Sequence, residues 1–414
     1  HHLDDFGELV CSNSFKAKRL RSAAGLLKGE GLMLGASLLA LAAKEAIPAG
    51  GALAVDRHRF AAEITQRIKN HPQILVKSEE VRELPKERPL ILAAGPLATD
   101  ALLKAITDAL GEPQLSFFDA AAPIVEAPTI DPDLSFKQSR YGRGEDDYIN
   151  CPMDKPTYEA FHAELVSAKR AELKDFDKKL LFQGCQPVEQ IAATGVDSLR
   201  FGPLKPVGLE DPKTGRRPYA NVQLRQENFS ADLYNMVGFQ TQLTFAEQRR
   251  VFRMIPALHH ASFVRYGVMH KNAFLNAPEV LNAKFKLKAL PDVYVIGQLS
   301  GLEGYVPALV SGQYVALQLA LKEKGKLPLC LPRETMWGAL IAYMTCPQEN
   351  YQPMAANFGL LPPLDHKIRG KQERHQALAD RAIQCLDDTL EDYRATLSCL
   401  RSKNDAYIIE NIDH

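Results

Sequence analysis

Two cysteines stand where a thiol can do chemistry. Cys185 lies in LFQGCQPVEQ, Leu181 to Gln190, between Gly184 and the break at Gln186-Pro187. Cys11 lies in ELVCSNS, where a thiol, two hydroxyls and an amide precede a long helical stretch and the basic residues Lys16, Lys18, Arg19 and Arg21. A helix N-terminus and nearby positive charge favour the thiolate, the nucleophilic form. Each stretch also has a plainer reading. A free cysteine commonly behaves as a small buried hydrophobe, and Ser and Asn ahead of a helix commonly cap it above a solvated basic face. In VIGQLSGLEGYVPA, Gly297, Gly301 and Gly304 follow an apolar strand and precede a helix. Backbone N–H groups and a helix dipole facing such a loop can cradle an anionic or electron-rich ligand. The sterics of an ordinary turn ask for the same glycines. His270, in RYGVMHKNAFLNAP, sits between an apolar run and a polar loop, a place suited to stacking or proton transfer as well as to a structural role.

Composition limits what surrounds these groups. A chain of 414 residues with 46% hydrophobic content is long enough for roughly two or three well-packed domains. Fifty basic residues balance fifty acidic ones, so a polyanionic partner has to be met by a local patch rather than a global field. The seven cysteines are scattered, with no CxxC and no histidine pair at zinc spacing, which predicts no metal site and a reducing compartment. The longest apolar run, Gly31 to Ala43, is 13 residues and ends at Lys44 and Glu45, short of the roughly 20 that span a bilayer. With no signal peptide visible, the expectation is a cytoplasmic protein without a membrane partner.

The elements that must position these groups can be read from periodicity. Leu20 to Ala46 predicts one long helix, ended by the Pro48, Gly50 and Gly51 turn. Phe60, Ile64 and Ile68 share one face of a following helix. QILVKSEEVREL and PLILAAGPLATDALLKAI read as strands, the second passing through Gly95 into a helix, which is α/β grammar. Between about Leu115 and Leu290 the pattern becomes β-rich, with runs YANVQLRQ, YNMVGFQTQL and SFVRYGVM between turns. From Asp292 the α/β pattern returns, and from Met336 the chain reads helical, its stretch Gln372 to Lys403 charged and amphipathic.

Taken in order, ELVCSNS, IPAGGALAVDR, ILAAGPLATDAL, FFDAAAPIVEAPTID, SRYGRGEDDYINCPM, FQGCQPVEQIAATGVDSLRFGPLKPVGL, NVQLRQEN, RYGVMHKNAFLNAP, YVIGQLSGLEGYVPALVSG and YQPMAANFGLLPP resemble the folate- and FAD-dependent tRNA uracil-5-methyltransferases of TrmFO/Gid type, relatives of the glucose-inhibited-division flavoproteins. The resemblance runs from near residue 1 to about residue 364. It implies an α/β, Rossmann-like, glutathione-reductase-like FAD-binding domain of residues 1–100 plus 291–414, interrupted by a β-rich α+β insertion domain of residues 101–290. Members of the family open with a strand and a GxGxxG turn that seats the FAD pyrophosphate, and that piece is expected upstream of His1, so the resemblance implies a truncated chain.

The resemblance also assigns roles. Cys185, in the GCxP segment, is implied as the nucleophile toward the target uridine, with Cys11 as the second active-site thiol. Thiolate addition at carbon 6 of uracil makes carbon 5 nucleophilic, which explains why a thiol is wanted. Methylenetetrahydrofolate is implied as the one-carbon donor, FAD as the redox cofactor and NADH or NADPH as the reductant. A flavin site of Ser12, Asn13, Gly50, Gly51, Ala52, Gly95, Gly297, Ser300, Gly301, Glu303 and Gly304 is implied, with His270 and Tyr305 for the folate pterin. Lys16, Lys18, Arg19 and Arg21, Arg216 and Arg217, and Arg249, Arg250 and Arg253 are the basic clusters available for tRNA. Three other readings compete: the same chemistry on ribosomal RNA, a flavin-dependent thiol oxidoreductase pairing Cys11 with Cys185, and a flavin-free RNA-binding protein.

Overall fold

The structure is a computed structural model that describes residues 4–111, 115–142, 145–171, 186–349, 351–395 and 397. The chain divides into two compact units, the first made of His1–Ser14, Glu45–Gln66 and Phe117–Lys271, the second of Phe15–Lys44, Arg67–Ser116 and Asn272–His414.

The first unit is built on a six-stranded sheet in the order Phe263–Arg265, Ile124–Glu126, Leu233–Met236, Ala220–Gln226, Tyr148–Met153, Phe136–Lys137, antiparallel throughout. The stretches YANVQLRQ, YNMVGFQTQL and SFVRYGVM each supply one of these strands. Every residue of Ala220–Gln226 is buried. Alternation sends Val222 and Leu224 to the core and Asn221, Gln223 and Arg225 to the opposite face. The helix Lys155–Ser167 covers the apolar face with Tyr158, Phe161 and Leu165, at helical spacing, and Asp154 caps it by accepting from the Thr157 N–H.

The second unit carries a parallel pair, Leu90–Leu92 beside Val293–Val295, in the register Val293↔Leu90 and Val295↔Leu92. Each strand passes through a glycine turn into a helix, Asp100–Leu110 and Tyr305–Glu323 respectively. The buried helix Ala23–Met33 packs against Tyr305–Glu323, Met336–Thr345 and Lys371–Leu390. Close approach needs glycine at Gly31, where a Cβ would lie 2.7 Å from both Leu39 and Val310. Trp337 stacks on Phe285 at 5.6 Å.

Four expectations are corrected. The helix predicted over Leu20 to Ala46 is two, Ala23–Met33 and Ser37–Lys44, bent by 120° at Gly35, whose φ of +84° cannot continue a helix. QILVKSEEVREL forms no strand. None of its apolar residues is fully buried, Leu75 being 81% and Ile74 45% exposed. The helix expected from Gln372 runs Lys371–Leu390, with a short 3-10 turn at Glu391–Tyr393. His1–Ser14 and Glu45–Gln66, expected with the α/β part, group with the antiparallel sheet, because their buried polar groups bond to it. Among the described residues no single helix is long and apolar enough to cross a membrane.

One buried carboxyl holds the second unit's helices in register. Glu30 is fully buried on Ala23–Met33, and its two oxygens accept the backbone N–H groups of Met336 and Trp337 at 2.6 and 2.7 Å, the first-turn donors of Met336–Thr345. Burial pushes its pKa from 4.5 up to about 8, against the pull of those two N–H groups. The folded state therefore binds this proton more tightly than the unfolded chain, and the contribution is full below 4.5 and lost as pH rises through about 8. Glu30→Gln should flatten that slope in urea-unfolding experiments across the window, and Glu30→Ala should lower stability by roughly 2–5 kcal/mol by orphaning two buried donors. An unchanged slope in Glu30→Gln would contradict the assignment.

Candidate functional site

Cys11 belongs to a segment held from three sides within the first unit. Arg57 donates to the Leu9 carbonyl at 2.9 Å, and Arg265 to the Cys11 carbonyl at 3.4 Å. Arg225 donates from Nε to Asn13 Oδ1 at 3.0 Å and from Nη2 to Ser12 Oγ at 2.8 Å. Asn13 is fully buried, and its amide donates to the carbonyls of Val55 and Gln226, both at 3.1 Å. Its side chain thus ties the Cys11 segment to a strand rather than facing outward, while Ser12 Oγ also accepts from the Ser14 N–H.

Buried charge accompanies this anchoring. Arg57 pairs with Glu227, both side chains nearly inaccessible. Burial lowers the Arg225 pKa from its ordinary value, opposed by the nearby Glu227 carboxylate. Arg225 thus fixes a guanidinium against the two residues that follow Cys11. Cys151 is different: it is a core residue whose thiol burial pushes up, which suits packing and not nucleophilic attack. Nearby in the chain, the Gly50-Gly51-Ala52 turn is fastened by Asp147, which accepts the Gly50 N–H at 2.6 Å, and by the Tyr148 hydroxyl, which donates to the Ala49 carbonyl at 3.0 Å. Gly50 has a φ of +55°, and a Cβ on Gly51 would meet nothing within 4 Å.

In the second unit, Gly297, Gly301 and Gly304 have φ of +69°, +86° and +97°, so the loop needs glycine at all three. Gly297 donates to Ser311 Oγ at 2.9 Å, Ser300 Oγ donates to the Gly297 carbonyl at 2.7 Å, and the Tyr351 hydroxyl donates to the Gly301 carbonyl at 3.1 Å. Ser300 is buried with its hydroxyl used inside the loop. Gly304 is the N-cap of Tyr305–Glu323 and contributes no side-chain cap. Gln298 Nε2 is a buried donor with no acceptor among the described residues. Gly95, with a φ of +68° and open space at its Cβ position, follows the neighbouring parallel strand. Glu303 lies 4.0 Å from Lys16 Nζ, and the Tyr305 ring lies 5.8 Å from Phe15.

Cys185 lies outside the described residues, and His270 is on the strand Met269–Phe274 with its side chain likewise outside them. The described flanks of Cys185 are fixed: the Ala171 N–H donates to the Gln242 carbonyl at 2.8 Å and the Val188 N–H to the Gln240 carbonyl at 2.7 Å. Of the basic clusters, Lys16, Lys18, Arg19 and Arg21 are exposed in the second unit, and Arg216 and Arg217 are exposed in the first. Arg250 pairs with Glu164 and Glu247, Arg253 donates to the Ala261 carbonyl, and Arg249 donates to the Tyr266 hydroxyl. Sequence reasoning passed over Arg57, Arg225 and Glu227. The available signal was NVQLRQEN, where polar residues alternate with apolar ones in a strand too well flanked to be exposed.

Asn13 gives the test of this anchoring. Asn13→Ala removes three buried hydrogen bonds and leaves the Arg225 Nε without its acceptor, so it should cost roughly 2–4 kcal/mol in denaturant unfolding and speed amide exchange over residues 9–14. A loss below about 1 kcal/mol would mean that the segment is held elsewhere.

The family model for glucose inhibited division protein A matches residues 1–327. The methylenetetrahydrofolate–tRNA-(uracil-5-)-methyltransferase TrmFO of Acetivibrio thermocellus is 51% identical over 394 residues, 95% of this chain and 90% of that protein. The enzyme of the same name from Heliobacterium modesticaldum is 50% identical over 388 residues, 94% and 88% of the two chains. Among solved structures, Aquifex aeolicus GidA in two crystal forms matches 98% of this chain, with TM-scores of 0.65 and 0.66 over 69% and 72% of those chains, at 12% and 15% identity, a likeness of fold. This chain belongs to the glucose inhibited division protein A family.

Proposed function

We infer that this chain is a methylenetetrahydrofolate–tRNA-(uracil-5-)-methyltransferase that works with FAD. The observation that carries the reading is 51% identity to the Acetivibrio thermocellus enzyme over 95% of the chain.

The residues present fit a flavin. Parallel strands that end side by side in glycine turns are where α/β sheets bind cofactors. Here the Gly95 and Gly297 turns follow such a pair, and the uncapped start of Tyr305–Glu323 and the unpartnered Gln298 amide add donors suited to an electron-rich ring. Gly95, Gly297, Ser300, Gly301, Glu303 and Gly304 would hold FAD in the second unit. The redox chemistry that thiols lack, relay of the one-carbon unit and delivery of hydride at the expense of NADH or NADPH, is what bound FAD supplies.

The chain's own residues act on the uridine. The Cys185 thiolate forms a bond to carbon 6, the displaced electron pair becomes an enolate, and carbon 5 takes up the one-carbon electrophile. Cys11 accepts the proton of carbon 5 as the one-carbon unit parts from its carrier, and Cys185 returns to thiolate when hydride completes the methyl group and the S–C6 bond breaks. Tyr305, the first residue of the helix after the glycine loop, would hold the folate pterin in the second unit. The exposed Lys16, Lys18, Arg19 and Arg21 face tRNA phosphates.

Replacing Cys185 with Ala should reduce tRNA methylation by at least a thousandfold while leaving flavin absorbance and melting temperature nearly unchanged, and tRNA bearing 5-fluorouridine at the target should trap wild type covalently but not this variant. A normal adduct yield in Cys185→Ala would move the nucleophile elsewhere. Gly304→Val, strained at a φ of +97°, should lower flavin occupancy, read as the 450 to 280 nm absorbance ratio, without loss of fold. Full occupancy in that variant would leave the loop as a turn alone.

A further inference from the structure

An aromatic column runs from the core of the first unit to its surface. Phe161 meets Phe239 at 6.4 Å, Phe239 meets Phe252 edge-on at 5.3 Å, and Phe252 meets Phe263 at 6.4 Å. Beyond Phe263 the geometry changes to face-to-face stacking. Phe263 and Tyr266 lie 5.5 Å apart at 19°, and Tyr266 and Phe245 lie 5.0 Å apart at 17°. The outermost ring, Phe245, is 53% exposed. Thr244 already caps the helix Phe245–Phe252 by accepting the Glu247 N–H, so the ring is not needed to start it.

A cation stands at the rim of this stack. Arg249, one turn after Phe245, donates from Nε to the Tyr266 hydroxyl at 2.9 Å and is exposed. Arg250 is engaged by Glu164 and Glu247, which leaves Arg249 as the helix's cation beside the rings. The platform is also rigid. Gln248 donates to the Gly267 carbonyl and accepts the Gly267 N–H, both at 2.8 Å, fixing the residue after Tyr266. It is continuous with the stretch that anchors the flanks of Cys185, since Gln240 and Gln242 precede Phe245 by five and three residues.

We propose that Phe245, Tyr266 and Arg249 form a stacking platform for one unpaired nucleobase of the RNA substrate, with the Arg249 guanidinium against the adjoining phosphate. The proposal rests on the reading that tRNA is the substrate. Every base offers a π-face to an exposed ring whatever its identity, and an arginine beside the ring meets the backbone charge that accompanies each base. A uridine must leave its own stack to be methylated, and a neighbouring base held on a rigid ring keeps the loop open while it does.

The test uses the full chain and a T-arm hairpin transcript carrying 2-aminopurine beside the target uridine. Wild type should bind it and quench the 2-aminopurine by stacking. Phe245→Ala and Phe245→Leu should each weaken binding about tenfold, lose the quenching and raise KM with kcat little changed, whereas Phe245→Trp should keep all three. Arg249→Gln should weaken binding and reduce its salt dependence. The platform is overturned if Phe245→Leu binds and quenches as wild type does, or if Phe245→Ala alters only the oligomeric state, which would make this a protein contact. Wild-type methylation of the same hairpin reports on the functional reading separately: its absence would sink that reading, while binding still decides the platform.

Discussion

The strand Ala220–Gln226 is buried on both faces, and much of the first unit follows from that single constraint. Its apolar face joins the core. Its other face presents Asn221, Gln223 and Arg225, which cannot be left unpaired away from water. Asn221 and Gln223 both donate to Asn150 Oδ1, at 3.0 and 3.1 Å, and Arg225 reaches Asn13 and Ser12. A buried guanidinium keeps its charge and is costly unless acceptors surround it, so the Cys11 segment is drawn to this strand by the need to satisfy Arg225. The position of a candidate catalytic thiol is thereby tied to the polar face of a sheet some 200 residues further along the chain.

The second unit solves a different problem. An anionic cofactor needs backbone donors brought close, and side chains on the approach would block it. On the proposed reading, two parallel strands ending together, three positive-φ glycines and a helix that starts without a side-chain cap would meet that need. Elsewhere the same glycine economy serves packing, as at Gly31, and the distinction lies in what a Cβ would meet: side chains at Gly31, little at Gly304.

Much of this was legible in the sequence, for identifiable reasons. Val293–Val295, the glycine loop and Tyr305–Glu323 were readable because their apolar runs and breaks are local signals. So were the short strands of the middle, where alternation and turns mark the pattern. The break at Gly35 was not, since a single glycine in an apolar stretch is compatible with an unbroken helix until packing selects a positive φ. QILVKSEEVREL misled because a short apolar run such as Ile74 to Val76 is only a capacity for pairing, and no partner strand meets it among the described residues. The arginine anchoring of Cys11 was invisible because it joins residues 9–13 to residues 57, 225 and 265, a tertiary relation that no local pattern records.

The central claim is that this chain moves a folate-derived carbon to carbon 5 of a tRNA uridine. The most direct measurement supplies the flavin-loaded protein with unmodified tRNA, NADPH and methylenetetrahydrofolate carrying a labelled methylene carbon, then digests the tRNA to nucleosides. Label in 5-methyluridine, dependent on the reductant and absent without added folate, is the result predicted. Unlabelled tRNA, or methylation that appears only when S-adenosylmethionine is supplied, would contradict it.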